Sequence, residues 1–145
     1  MADVEGWYTK PGEFSQRSTY VPLSPGRHLD TRTGVGTGGR VARLGPGETL
    51  ELVVNNVNGV PLSGADAIVF NVTAIDHTGP DSFLTVYPTG SARPLASNLN
   101  FVNGETVPNL VVVRVGANNH VSIYNNAGAV HVVADVQGFF VPDGA

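Results

Sequence analysis

Three charged side chains, Arg27, Asp30 and Arg32, crowd into the stretch "RHLDTRTGVGTGG" (27–39), in a chain whose charged residues are only 14%. The glycines that follow, Gly34, Gly36 and Gly39, have the G-x-G-x-x-G spacing of a phosphate-cradling loop. Such a loop needs a strand before it, a helix after it and an acid about 20 residues on. Here Gly45-Pro46-Gly47 forbids a helix of useful length, so no helix N-terminus can face a phosphate. The glycines read instead as a flexible corner between two strands. Two further charges stand where they are costly: Asp135 inside "VVADVQGFF" and Arg114 inside "LVVVRV". A charge in an apolar strand is expensive unless paired. The expectation is an ion-pair lattice of Arg27, Asp30, Arg32, Arg114 and Asp135 that ties the first strand to the last. Acid/base work by a carboxylate pair is the alternative chemistry.

Other reactive constellations are missing. The chain has no cysteine, which removes thiolate nucleophiles, disulfides and cysteine zinc sites. It has neither G-x-S-x-G nor His-Glu-x-x-His. His28, His77, His120 and His131 lie on different segments. His120 and His131 would meet only if 120–125 and 130–136 pair as a hairpin, and two histidines fall short of the three protein ligands of a catalytic zinc. In "DHTGPDS", Asp76 and Asp81 could offer oxygens to calcium, although an Asx-type turn explains them more simply. No cofactor and no enzymatic activity are expected. The net charge is −4 and the six basic residues among the first 43 have no interleaved aromatics, which argues against nucleic acid. No apolar run approaches the roughly 20 residues of a membrane helix.

The elements that must position these residues are short and well punctuated. Gly (18) and Pro (10) are abundant, and Val leads the apolar residues. "TLELVVN" (49–55), "AIVFNVTAI" (67–75), "FLTVYP" (83–88), "LASNLNF" (95–101), "LVVVRV" (110–115), "HVSIYN" (120–125) and "VHVVADVQGFFV" (130–141) read as strands. Strands at spacings of about ten residues, with no 3.6-residue period, predict an all-β antiparallel sandwich, a jelly roll or a related Greek key. Residues 1–19 read as an irregular N-terminal arm with Trp7, Tyr8 and Phe14 as anchors, and 20–145 as a single sandwich domain. The polar start lacks the apolar core of a signal peptide.

The stretches "YVPLSPGRHLDTRTGVG", "SFLTVYPTGSARPLASNLNF", "GETVPNLVVVRVG" and "HVSIYNNAGAVHVVADVQGFFV" together resemble a β-rich accessory module. That module occurs in secreted actinobacterial proteins and in virion proteins of the phages that infect those bacteria, and the match runs from about 20 to 141. The resemblance implies attachment or surface structure and carries no catalytic residues. It leads to the expectation of a virion surface protein, a capsid decoration protein or a fibre or tail module. Such a protein would be trimeric and would dock through its arm onto a major capsid or other virion protein. The alternative is an extracellular carbohydrate-binding module for a cell-surface glycan, with Tyr87 and Tyr124, beside Phe139 and Phe140, as stacking rings.

Overall fold

The computed structural model describes residues 2–4, 6–8, 10 and 17–143. Among the described residues eight strands form: β1 (Ser18–Asp30), β2 (Thr49–Val53), β3 (Ala67–Thr78), β4 (Ser82–Pro88), β5 (Leu99–Phe101), β6 (Val107–Arg114), β7 (His120–Asn125) and β8 (Ala129–Pro142). The one helical element among the described residues is the 3₁₀ turn Ala117–Asn119. The first sheet has the order β1-β8-β3-β6 and the second β2-β7-β4-β5. All pairs are antiparallel, and they nest: β1 with β8, β2 with β7, β3 with β6, β4 with β5. The nesting is that of one long hairpin rolled into a sandwich, the strand order of a jelly roll.

The inner faces form the core. Leu29 of β1, Leu52 of β2, Ile68, Phe70 and Val72 of β3, Leu84 of β4, Val111 of β6, Ile123 of β7 and Val136 of β8 are all buried in one cluster. Each large apolar side chain so buried contributes about 1.5–3 kcal/mol relative to exposure. On β8 not only the core-facing Val132, Ala134 and Val136 but also the intervening Val133 is buried. That suits a central strand, and β8 lies between β1 and β3.

Four expectations are corrected. The hairpin between 120–125 and 130–136 does not form, because Asn126–Gly128 carries the chain from one sheet to the other. His120 therefore pairs with Val53 and His131 with Ile75, in different sheets. β3 continues through Thr78 instead of turning at Asp76: Asp76 takes a left-handed φ of 54°, and the ladder to β8 shifts there. This bulge turns His77 inward and Asp76 outward. The strand expected over 95–101 shrinks to Leu99–Phe101, and the preceding loop lies on the second sheet, with the Thr85 hydroxyl donating to the Ala96 carbonyl (3.0 Å).

The fourth correction concerns the glycine corner, which is tied, not flexible. The Asp30 N–H donates to the Val35 carbonyl (2.9 Å), the Gly34 N–H to the Asp30 carbonyl (2.9 Å) and the Gly39 N–H to the Gly34 carbonyl (3.1 Å). Gly36 has φ 77°, and a Cβ on it would strike the His28 carbonyl oxygen. Gly38 has φ 68° and open space around it. Gly36→Ala should therefore cost about 2–3 kcal/mol and Gly38→Ala about 1 kcal/mol in urea unfolding. Equal losses would mean that the collision at His28 is not what fixes the corner.

Candidate functional site

The charged residues of the opening stretch are placed by the β1–β8 ladder. Arg27 is opposite Asp135 and Asp30 opposite Val133, with a register shift between Arg27 and Leu29. The shift sends Leu29 into the core and leaves Asp30 on the same outer face as Arg27. Arg32 grips Asp30 through its backbone N–H (3.0 Å to Oδ1), its Nε (3.0 Å to Oδ1) and its Nη2 (2.9 Å to Oδ2). Arg27 donates from Nη1 to Asp30 Oδ2 (3.1 Å) and from Nε to Asp135 Oδ1 (2.9 Å). Asp30 is only 2% exposed beneath the two guanidiniums, which are themselves 45% and 42% exposed.

The electrostatics follow from these contacts. The Arg32 side-chain bonds, helped by its backbone N–H and by the charges of both arginines, hold the Asp30 carboxyl below its ordinary range. The bond to Asp135 raises Arg27. A general acid needs the opposite shift to the one Asp30 has.

Arg114 is a correction. It stands at the end of β6, opposite Ala67 at the far edge of the sheet, and pairs with Asp66 at 3.7 Å. β8 and β3 lie between it and the lattice on β1. Of the two calcium candidates, Asp76 has its carboxylate paired with Arg43. Among the described residues no three acids or histidines gather as a metal site. Asp81 stands apart, exposed at the start of β4.

Two histidines are polar struts. His28 faces the Val54 carbonyl with Nε2 (3.1 Å), so that nitrogen carries the proton, and Nδ1 accepts from the Asn58 amide (3.2 Å). Burial lowers the His28 pKa. Burial, then the nearby Arg43 charge, lowers that of His131, whose Nδ1 meets the Thr31 hydroxyl at 2.9 Å.

The aromatic candidates separate. On the arm, Trp7 and Tyr8 are exposed, while Phe14 lies outside the described residues. Phe139 belongs to the core and Phe140 packs on Tyr20 with ring centroids 5.2 Å apart. Tyr87 is half-buried on β4. Tyr124 is buried, with the Arg93 guanidinium 3.6 Å from its ring centroid, so that face is closed to a sugar.

Residues that sequence reasoning missed are mostly structural nodes. Asn125, fully buried, donates from Nδ2 to the carbonyls of Leu44 (3.1 Å) and Gly128 (3.0 Å) and accepts from the Ser82 hydroxyl (2.8 Å). Its signal was present: an amide on the same alternating face as Val121 and Ile123. Phe83, half-buried beside Tyr124, had no signal beyond its strand. The chain matches no protein-family model and no curated protein.

Removing Asp30 takes from Arg32 its ion-pair partner and leaves Arg27 with Asp135 alone. Asp30→Ala should lower unfolding free energy by about 2–3 kcal/mol at neutral pH, and Asp135→Ala by about 1 kcal/mol, both read by chemical denaturation. An Asp135→Ala loss larger than that of Asp30→Ala would contradict this ranking.

His28 and His131 bind protons more weakly folded than unfolded, so stability falls as pH drops through their unfolded value of about 6.5. Asp30, held low, adds a further loss as pH falls below its unfolded value of about 4. Midpoints measured from neutral to acidic pH should decline in that order, and a flat or rising profile between pH 7.5 and 5.5 (about one unit either side of the histidine value) would refute the histidine contribution.

Proposed function

We propose that the chain is a non-enzymatic surface module of a virion, a capsid decoration protein or a fibre or tail module, docking as a homotrimer through its N-terminal arm. The observation that carries the reading is the arm itself: Val4, Trp7 and Tyr8 are 89%, 76% and 92% exposed. Trp and Tyr are the side chains that most often anchor protein interfaces. The base of the arm is fastened to the other end of the chain, with Arg17 paired to Asp143 at 3.3 Å and the Asp143 N–H donating to the Arg17 carbonyl. A pull on a docked arm is thereby shared by β1 and β8. The resemblance to phage virion modules supports the same reading, with a major capsid or other virion protein as the partner.

Virions assembled without this chain should take up the purified protein. Protein lacking residues 1–16, which keeps Arg17 and its bonds to Asp143, should fail to bind them while keeping its melting temperature. Undiminished uptake of the arm-less protein would overturn the docking role, and a stable monomer in light scattering would overturn the trimer.

A further inference from the structure

β4 and β5 meet at one edge of the second sheet, and two adjoining depressions of about 380 and 540 Å³ flank Phe83 and Asn100, which line both. Their size falls within the range of small-molecule sites, roughly 300–1,000 Å³. Phe83 is the ring a ligand would meet: it is half-buried against Tyr124, at 6.3 Å between centroids, and Tyr124 is itself capped by Arg93.

The charged groups around this ring share one sign. Six of the seven arginines form ion pairs with Asp or Glu and the seventh, Arg93, lies on Tyr124. Four described acids are left without an ion pair, Asp3, Glu51, Asp81 and Glu105, and all but Glu51 line the two depressions. Asp81 makes no hydrogen bond with any described residue, and Glu105 uses only Oε2, which accepts from the Val102 N–H (3.0 Å). Asn109 donates Nδ2 to the Asn98 carbonyl (2.6 Å), which leaves its Oδ1 as an acceptor. No Lys or Arg lines either depression.

An acceptor-rich trough with an aromatic floor selects its ligand. Phosphates, sulfates and uronates are repelled by the carboxylates, and a purely apolar ligand would strip water from them without giving donors in return. A neutral sugar brings both requirements, a C–H face for the ring and a rim of hydroxyl donors. We propose that the Phe83 trough binds a neutral, hydroxyl-rich oligosaccharide, with one sugar ring on Phe83 and hydroxyls donated to Asp81, Glu105 and Asn109. This site does not rest on the virion reading, because particle uptake through the arm can fail or succeed independently of it.

The test is titration of the ¹⁵N-labelled full chain with cellohexaose and with chitohexaose at millimolar concentration. At least one should shift amides around 81–83 and 100–105, and Phe83→Ala should weaken binding at least about tenfold. Asp81→Ala, at an exposed loop position, should weaken it by a similar factor with the fold intact. No shifts with either sugar, shifts confined to another surface, undiminished binding by the Asp81→Ala protein, or equal binding of polygalacturonate would overturn the proposal.

Discussion

The pairing of the first strand with the last closes this molecule, and Arg27 marks the row at which it does so. β1 is an edge strand with β8 as its only neighbour in the sheet, and its ladder shifts twice, once on each side of the Gly26–Arg27 pair of rows. A ladder that slips this readily needs side chains to choose its register. The Arg27–Asp135 bonds join residues 108 apart, so they cannot form until nearly the whole chain is present. Contacts of such separation belong to the slow end of folding. With both guanidiniums partly in water, the lattice adds moderate stability, and its larger effect is to penalise the wrong register, which would leave Asp30 or Asp135 without its arginine.

The second sheet is closed differently, by a neutral amide. Asn125 sits where β7 ends and the chain crosses to β8, and its bonds reach the loop before β2, the start of β4 and the crossing itself. Ser82 completes this node by accepting from the Ala127 N–H at 2.9 Å. Without cysteines, these polar contacts take the place of covalent links at the ends of the sandwich. They are nearly complete: among the described residues, His77 Nδ1 is the one buried side-chain polar atom without a partner.

Strand identity was legible because period-two alternation and Gly, Pro and Asn punctuation act locally. Asp135 was legible for a related reason, since a carboxylate within an apolar run demands a partner, and Arg27 stood in the first strand to supply it. Arg114 satisfied the same local rule, yet its strand lies at the opposite edge of the sheet, a matter of strand order that no local pattern encodes. The hairpin between β7 and β8 failed on the same ground. The shift at Asp76 was hidden because a left-handed residue inside a strand leaves the composition of a turn while continuing the ladder. Phe83 could not be distinguished from any strand aromatic, because its exposure depends on where the loop before β5 lies.

The two sheets divide the work of closure and contact. Along β1 the charged groups of the first sheet's outer face are occupied with one another, Asp30 so fully that it is almost removed from solvent. On the second sheet the loop before β5 lies over Thr85 and Tyr124, using the Ala96 carbonyl and Arg93, and leaves Phe83 at the side toward β5 half-buried. Six arginines are engaged in ion pairs and Arg93 lies on Tyr124, so the carboxylates of Asp81 and Glu105 at that edge have no ion-pair partner among the described residues. A surface that has consumed its cations in holding the fold together has its spare negative charge where the fold does not need it, and at the β4–β5 edge that charge surrounds an accessible aromatic ring.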